Sequence, residues 1–131
     1  MSAKSEKLVQ ILKDLERESV IEGSAIVSSR GQVFASALHA DADEKAIAAM
    51  AAALSSVGTR VSGTLDGGTL NQIVLTGSKK MILLHTLGKA LLITLAPADA
   101  KEGLLNFEID RAITKIKQTP VSYTHLTLPT N

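Results

Sequence analysis

The chain reads as an α+β domain built on a five-stranded antiparallel sheet. One helix lies on one face of the sheet and two terminal helices on the other. Three observations predict this. Apolar residues recur at helical spacing in three segments, one near each end and one in the middle. Five short apolar runs lie between those segments, and glycine-containing turns connect them as hairpins, which makes the sheet antiparallel. The last run, Ala90 to Leu95, is apolar on both of its faces and needs cover on both. The element order is α-β-β-α-β-β-β-α.

The composition narrows the class. At 131 residues the chain holds one domain with a real core and not two. Lys+Arg 14 against Asp+Glu 13 leaves a net charge of +1, which argues against a nucleic-acid or acidic-membrane surface. Aromatic residues make up 2%, with no Trp, so no stacking platform for single-stranded nucleic acid is on offer. The absence of Cys excludes disulfides and thiolate metal sites and makes the cytoplasm the default expectation. No apolar run approaches the roughly 20 residues of a membrane span. The N-terminal MSAKSEK carries no signal-peptide core.

Residues 4 to 18 form the first helix, with Leu8, Ile11, Leu12 and Leu15 on one side and Lys and Glu elsewhere. Ala25 to Val27 and Val33 to Ala35 are the strands of a hairpin. Ser29-Arg30-Gly31 turns between them, with Gly31 suited to positive φ. The central helix runs from Asp41 to Val61, with Asp41 and Glu44 as a capping box. Gly63, Gly67 and Gly68 then make a loop. Strands follow at Gln72 to Thr76, Lys80 to Leu87 and Ala90 to Leu95, separated by turns at Gly77 and Gly88. Pro97 ends the sheet. Asp99 with Glu102 reads as a second capping box, opening a last helix to about Gln118 whose apolar stripe includes Leu105, Ile109 and Ile116. Its Lys115 and Lys117 suit the negative end of the helix dipole. Residues 1 to 118 therefore make one domain. Thr119 to Asn131 carries no charge, fits no element and resembles translated sequencing-adapter sequence, so it reads as a tail outside the fold.

The central helix has two unlike faces. Ile47, Met50, Leu54, Val57 and Val61 share one stripe, expected to lie on the sheet. Leu92, Ile93, Ile47 and Leu54 are expected core residues. Ala48, Ala52, Ser55, Ser56 and Thr59 form a small, uncharged face, where an ordinary surface helix would carry Lys and Glu. Small residues let another backbone come close, so this face is expected to contact a partner or a second copy of the chain.

The hairpin, the small-residue central helix and the later strands together resemble the roadblock / dynein light chain family. The hairpin matches most closely: Gly23, Ser24, the short strand Ala25 to Val27, the polar turn Ser28 to Gly31, and Val33 to Ser36. The later strands, IVLTGSKKMILLHTLGKALLITL, fit the same pattern, and the resemblance covers residues 4 to 118. It implies a roadblock/profilin-like fold. It also implies homodimers, or heterodimers with a paralogous roadblock chain, in which two central helices pack together. The two sheets then join through the strand after that helix, here Gln72, Val74 and Thr76. The family further implies a regulator or scaffold for Ras-like small GTPases, or a light chain of a transport complex.

No catalytic constellation is legible. His39, His85 and His125 are scattered. Asp41, Asp43 and Glu44 are better explained by a helix start than by a metal. Gly77-Ser78-Lys79-Lys80 lacks the spacing of a phosphate loop and leads into a strand. Arg30 and Arg60 read as solvated, and the resemblance supplies no arginine finger. The expectation is a non-enzymatic, dimeric, cofactor-free regulator or scaffold that binds a small GTPase. A small-molecule sensor module is the alternative, favoured by a cavity into which His85 or Asn71 points. A purely structural light-chain-like subunit is the third.

Overall fold

A computed structural model describes residues 3–119. The elements come in the expected order: α1 (Ala3–Glu18), β1 (Gly23–Ser28), β2 (Val33–Ser36), α2 (Glu44–Thr64), β3 (Gln72–Thr76), β4 (Lys80–Leu87), β5 (Ala90–Pro97) and α3 (Glu102–Gln118). The strands form one sheet in the order β2-β1-β5-β4-β3, and every pairing is antiparallel. Tight turns fix this order. The β1–β2 hairpin and the β3–β4–β5 meander are each local, and β1 joins β5 at the centre from Gly23↔Leu95 to Ser28↔Ala90. That leaves β2 and β3 as the two edges.

The alternation of side chains along each strand divides the core into two layers. On one face, Leu8 and Leu12 of α1 and Ile109 and Ile116 of α3 pack on Ile26, Leu83 and Leu92. On the other, Ala48 and Ala51 of α2 pack on Ala25, Val27, Leu84 and Leu91. The terminal helices fill the first layer with Leu and Ile, whereas α2 contributes only alanines to the second. This is the expected placement of helices on the two faces.

Four local expectations are corrected. Asp43, not Asp41, caps α2: its Oδ1 accepts from the Ala46 amide at 3.1 Å. A turn closed by the Ala42 amide on the His39 carbonyl holds Asp41 back from the helix, so Glu44 becomes its first residue and no capping box forms. The helix also runs on through Gly63 to Thr64. Lys101 precedes α3 without any side-chain cap, because a turn from Pro97 to Ala100 sets Asp99 two residues before the cap position. Finally, the central-helix stripe expected on the sheet is not there. Leu92 is fully buried, but Ile93, Ile47 and Leu54 are only partly covered, and the rest of the stripe is exposed.

Thr119, placed with the tail from sequence, is buried, and its hydroxyl donates to the Lys115 carbonyl at 3.0 Å. The remainder of that tail, residues 120–131, lies outside the described residues.

His85 sits on β4 beneath α3. Its Nε2 is 3.2 Å from Asn106 Oδ1, and its Nδ1 is buried without a partner. Burial holds its pKa below the ordinary 6.5, opposed by the Asn106 hydrogen bond and the Asp110 carboxylate. The unfolded chain therefore binds this proton at a higher pH than the folded one. Stability that is complete above the unfolded value should fall as pH drops below 6.5. Urea unfolding between about pH 7.5 and pH 5 should show this loss, and His85→Gln should flatten it. A wild-type curve no steeper than that of the variant would contradict this assignment.

Candidate functional site

The position of α2 follows from its smallest residues. Ala48, Ala51, Ser55 and Gly58 recur at helical spacing and face the sheet. At one side of the sheet Gly31, with φ of +87° in the β1–β2 turn, comes so near that a Cβ there would stand 3.3 Å from the Ala49 Cα. At the other, a Cβ on Gly58 would stand 2.9 Å from Ile73 Cδ1 in β3 and 3.1 Å from Leu70 Cδ2. The helix thus crosses from the β1–β2 turn to the β3 edge with its backbone pressed close. Leu or Met on that side has no room.

The large residues consequently lie on a flank, roughly a quarter-turn from the sheet contact. Leu54 packs partly onto the sheet and Ile47 is half-buried beside it, whereas Met50 and Val57 are each 58% exposed and Val61 51%. Beside this flank lies a groove of about 280 Å³, floored by Leu75, Ile82, Ile93 and Leu95 of the sheet. Among its lining residues only Thr94 carries a hydroxyl, amide or charge. His85 and Asn71 do not line it. Past the groove the apolar surface continues over Val57, Val61 and the exposed Leu65.

The sheet edge beside this surface is equally bare. β3 reads Gln-Ile-Val-Leu-Thr, with no charge and no proline, and pairs with β4 in unbroken register from Gln72↔His85 to Thr76↔Met81. Such an edge is a template for another strand. The opposite edge is blunted: β2 has four residues, and its register with β1 shifts between Ile26 and Val27. After Gly58 stands over β3, α2 still has residues 59–64 to run, about 9 Å of helix beyond the strand that should be its last support. The overhang carries Val61.

The residues expected from sequence to bind a partner divide into three groups. Ala48 is 0% exposed and spent on the chain's own sheet, so it cannot be part of a contact surface. Ala52 and Ser55 are partly covered, and Ser56 and Thr59 are exposed, all on the sides of α2 away from the apolar flank. Gln72 and Thr76 are exposed on the β3 edge, while Val74 is partly buried against the terminal-helix core. The sequence reading missed Met50, Val57, Val61, Leu65 and Leu75 as surface residues. Gly58 was the available signal. A glycine inside a helix, on the same side as Ala48 and Ala51, marks where the backbone approaches something most closely, and hence which side faces in.

Residues 7–96 match the family model described as the Roadblock/LC7 domain. The chain belongs to this family. Two uncharacterized proteins of Methanocaldococcus jannaschii are each 32% identical over 108 residues, covering 82% of this chain and 95% of theirs. Among solved structures, MglB of Myxococcus xanthus superimposes with a TM-score of 0.79 at 16% identity, covering 84% of this chain and 91% of its own. A Roadblock/LC7 domain from Streptomyces avermitilis gives 0.77 at 20%, covering 83% and 93%. Human profilin II gives 0.54 at 16%. The fold is therefore the three-helix, five-strand roadblock/profilin arrangement. No helix among the described residues is long and apolar enough to cross a membrane.

Several other polar groups of this roadblock domain have local explanations, whereas the Ser24 and Thr94 hydroxyls, paired across β1 and β5, are buried without a partner among the described residues. Ser28 Oγ accepts from the Arg30 and Gln32 amides at 3.1 and 3.0 Å and shapes the turn, leaving Arg30 exposed at its tip. Gly77 donates to the Lys80 carbonyl at 2.8 Å in a β3–β4 hairpin turn. Asp43 is occupied by its cap.

Two glycines of α2 provide a test of the helix position. Gly58→Val should destabilise the domain by about 1–3 kcal/mol through overpacking, although Val is the better helix former. Gly63→Ala, with nothing within 4 Å of the added carbon, should instead stabilise it by up to about 1 kcal/mol. Chemical denaturation of both variants decides: equal effects of the same sign would mean that α2 does not approach β3 at Gly58.

Proposed function

We propose that this chain is a non-enzymatic, dimeric regulator or scaffold that binds a Ras-like small GTPase. The observation that carries the dimer is the coincidence, on one side of the domain, of an exposed apolar flank on α2, a bare β3 edge, and a helix that overhangs that edge. A two-fold axis beside β3 joins the two edges. It also brings the Val61 overhang of each copy over the groove floored by Leu75 and Ile82 of the other. Such an interface is self-complementary, so each contact is made twice. The groove half of the contact buries no charge, because no lining residue of the groove carries one.

The GTPase reading comes from the family, whose members serve Ras-like GTPases, and from what this dimer leaves free. The outward side of α2 carries Ala53, Ser56 and Arg60, all exposed. It is a smooth platform with one guanidinium, suited to a partner whose surface must approach closely. On this reading the protein works by positioning the GTPase's own catalytic groups. A sensor would need a pocket with converging polar groups, and the aliphatic lining of the groove argues against it.

The test is molar mass by light scattering combined with binding to a nucleotide-loaded Ras-like GTPase from the same source. The wild type should have twice the chain mass, and Val61→Glu should be monomeric and folded. Ala53→Arg should remain dimeric and lose the GTPase. A monomeric wild type sinks the dimer. A dimer that binds no GTPase, or an Ala53→Arg variant that binds as the wild type does, sinks the partner assignment.

A further inference from the structure

Two hydroxyls lie deep in the layer under the terminal helices. Ser24 of β1 and Thr94 of β5 are 0% and 1% exposed, and neither hydroxyl has a hydrogen-bond partner among the described residues. They stand directly opposite each other where β1 meets β5, the joint between the β1–β2 hairpin and the β3–β4–β5 meander. Both side chains face α1 and α3. Ile26 and Leu92, two residues from each, belong to that layer, whereas the adjacent Ala25 and Ile93 pack towards α2. The groove beside α2 therefore meets Thr94 through its main chain.

The backbone sets how close the pair stands. The Ser24 carbonyl turns to β2, where it accepts from the Ala37 amide at 2.8 Å. Ser24 thus spends its backbone groups on β2, and with Thr94 it forms a non-hydrogen-bonded pair. Such pairs have Cα atoms about 4.5 Å apart and their side chains drawn together. Yet two hydroxyls cannot satisfy each other. One O–H can donate across the pair, and the second is left without an acceptor. An unmade hydrogen bond is costly in a layer whose other members here, Ile26, Leu83 and Leu92, are aliphatic. The remaining neighbours are small: Ala37 beside Ser24, and Ala96 beyond Thr94 on the same face of β5.

We propose that Ser24 and Thr94 bind one internal water molecule. The alanines leave space on the scale of a single water, about 30 Å³. Ser24 donates to the water, the water to Thr94 and Thr94 back to Ser24, so both buried hydroxyl protons find acceptors. An ion would meet no opposite charge there, and an apolar ligand would leave both hydroxyls unpaired. The water leaves only when α1 or α3 lifts from the sheet, so its residence time reports the opening of that layer.

Magnetic relaxation dispersion of the solvent counts internal waters that outlive molecular tumbling, and it tests this. The wild type should hold one more such water per chain than Thr94→Val, which keeps the shape and loses the hydroxyl. Ser24→Ala should lose the same water, because a single hydroxyl does not hold it, and the double variant should lose no further one. Water-to-protein NOEs should appear at Ser24 and Thr94 in the wild type alone. Each single variant should unfold at lower urea than the wild type, and Ser24→Ala/Thr94→Val should lose less than the sum of the two, since no hydroxyl is then left to satisfy. An equal water count in the wild type and both single variants overturns the proposal, including the case in which coupled urea midpoints show the hydroxyls bonded directly to each other. Strictly additive losses overturn it too. Should a variant fail to fold, the wild-type NOEs decide: their absence at both residues overturns it. The count is taken per chain, so it does not depend on the dimer proposed above.

Discussion

The close approach of α2 to the sheet is the constraint on which the rest of the molecule depends. Helix backbone can press against the β1–β2 turn and β3 only because Gly31 and Gly58 add no Cβ there and because Ala48 and Ala51 are the side chains between. Once the small side is committed inward, the large residues of the same helix have nowhere to go but its flank. Burying them was never available within one chain. Met50, Val57 and Val61 are left in water by the geometry that seats the helix, and they are left beside the one sheet edge that nothing blunts.

The two layers of the core consequently have different duties. The α1–α3 layer buries full Leu and Ile side chains, each stabilising by about 1.5–3 kcal/mol, and it contains the buried His85. It holds the fold. On the other face α2 itself buries alanines, which contribute much less area, and keeps its larger apolar side chains outside. On the proposed reading that layer gains its remaining burial by association, and function sits where the isolated chain is least complete: in what the domain holds and in what orientation.

Most of the fold was legible because it rests on periodicity. Short apolar runs with glycine turns gave all five strands, with β3 and β4 placed to the residue, and β5, apolar on both faces, implied helices on both. The helix starts were less legible. Asp41 and Asp43 are equally good caps in sequence, and only the turn closed at His39 decides between them. The inward side of α2 was misread for a physical reason. Larger apolar residues usually mark the buried stripe, but that rule assumes the ordinary helix-to-sheet spacing, and Gly58 breaks the assumption. The β3 edge was found through the family pattern, while the apolar flank beside it had been assigned to the core.

The central claim is that the flank of α2 and the edge of β3 form one surface that a second copy covers. Amide hydrogen exchange along Gln72–Thr76 tests it most directly. In a lone domain the amides of β3 that point away from β4 have no strand partner and exchange freely, while in a joined sheet they are protected. The account predicts slow exchange at those amides in the wild type, and fast exchange in Val61→Glu under identical conditions, with β1 and β5 unaffected. Fast exchange along the outer side of β3 in the wild type would contradict it.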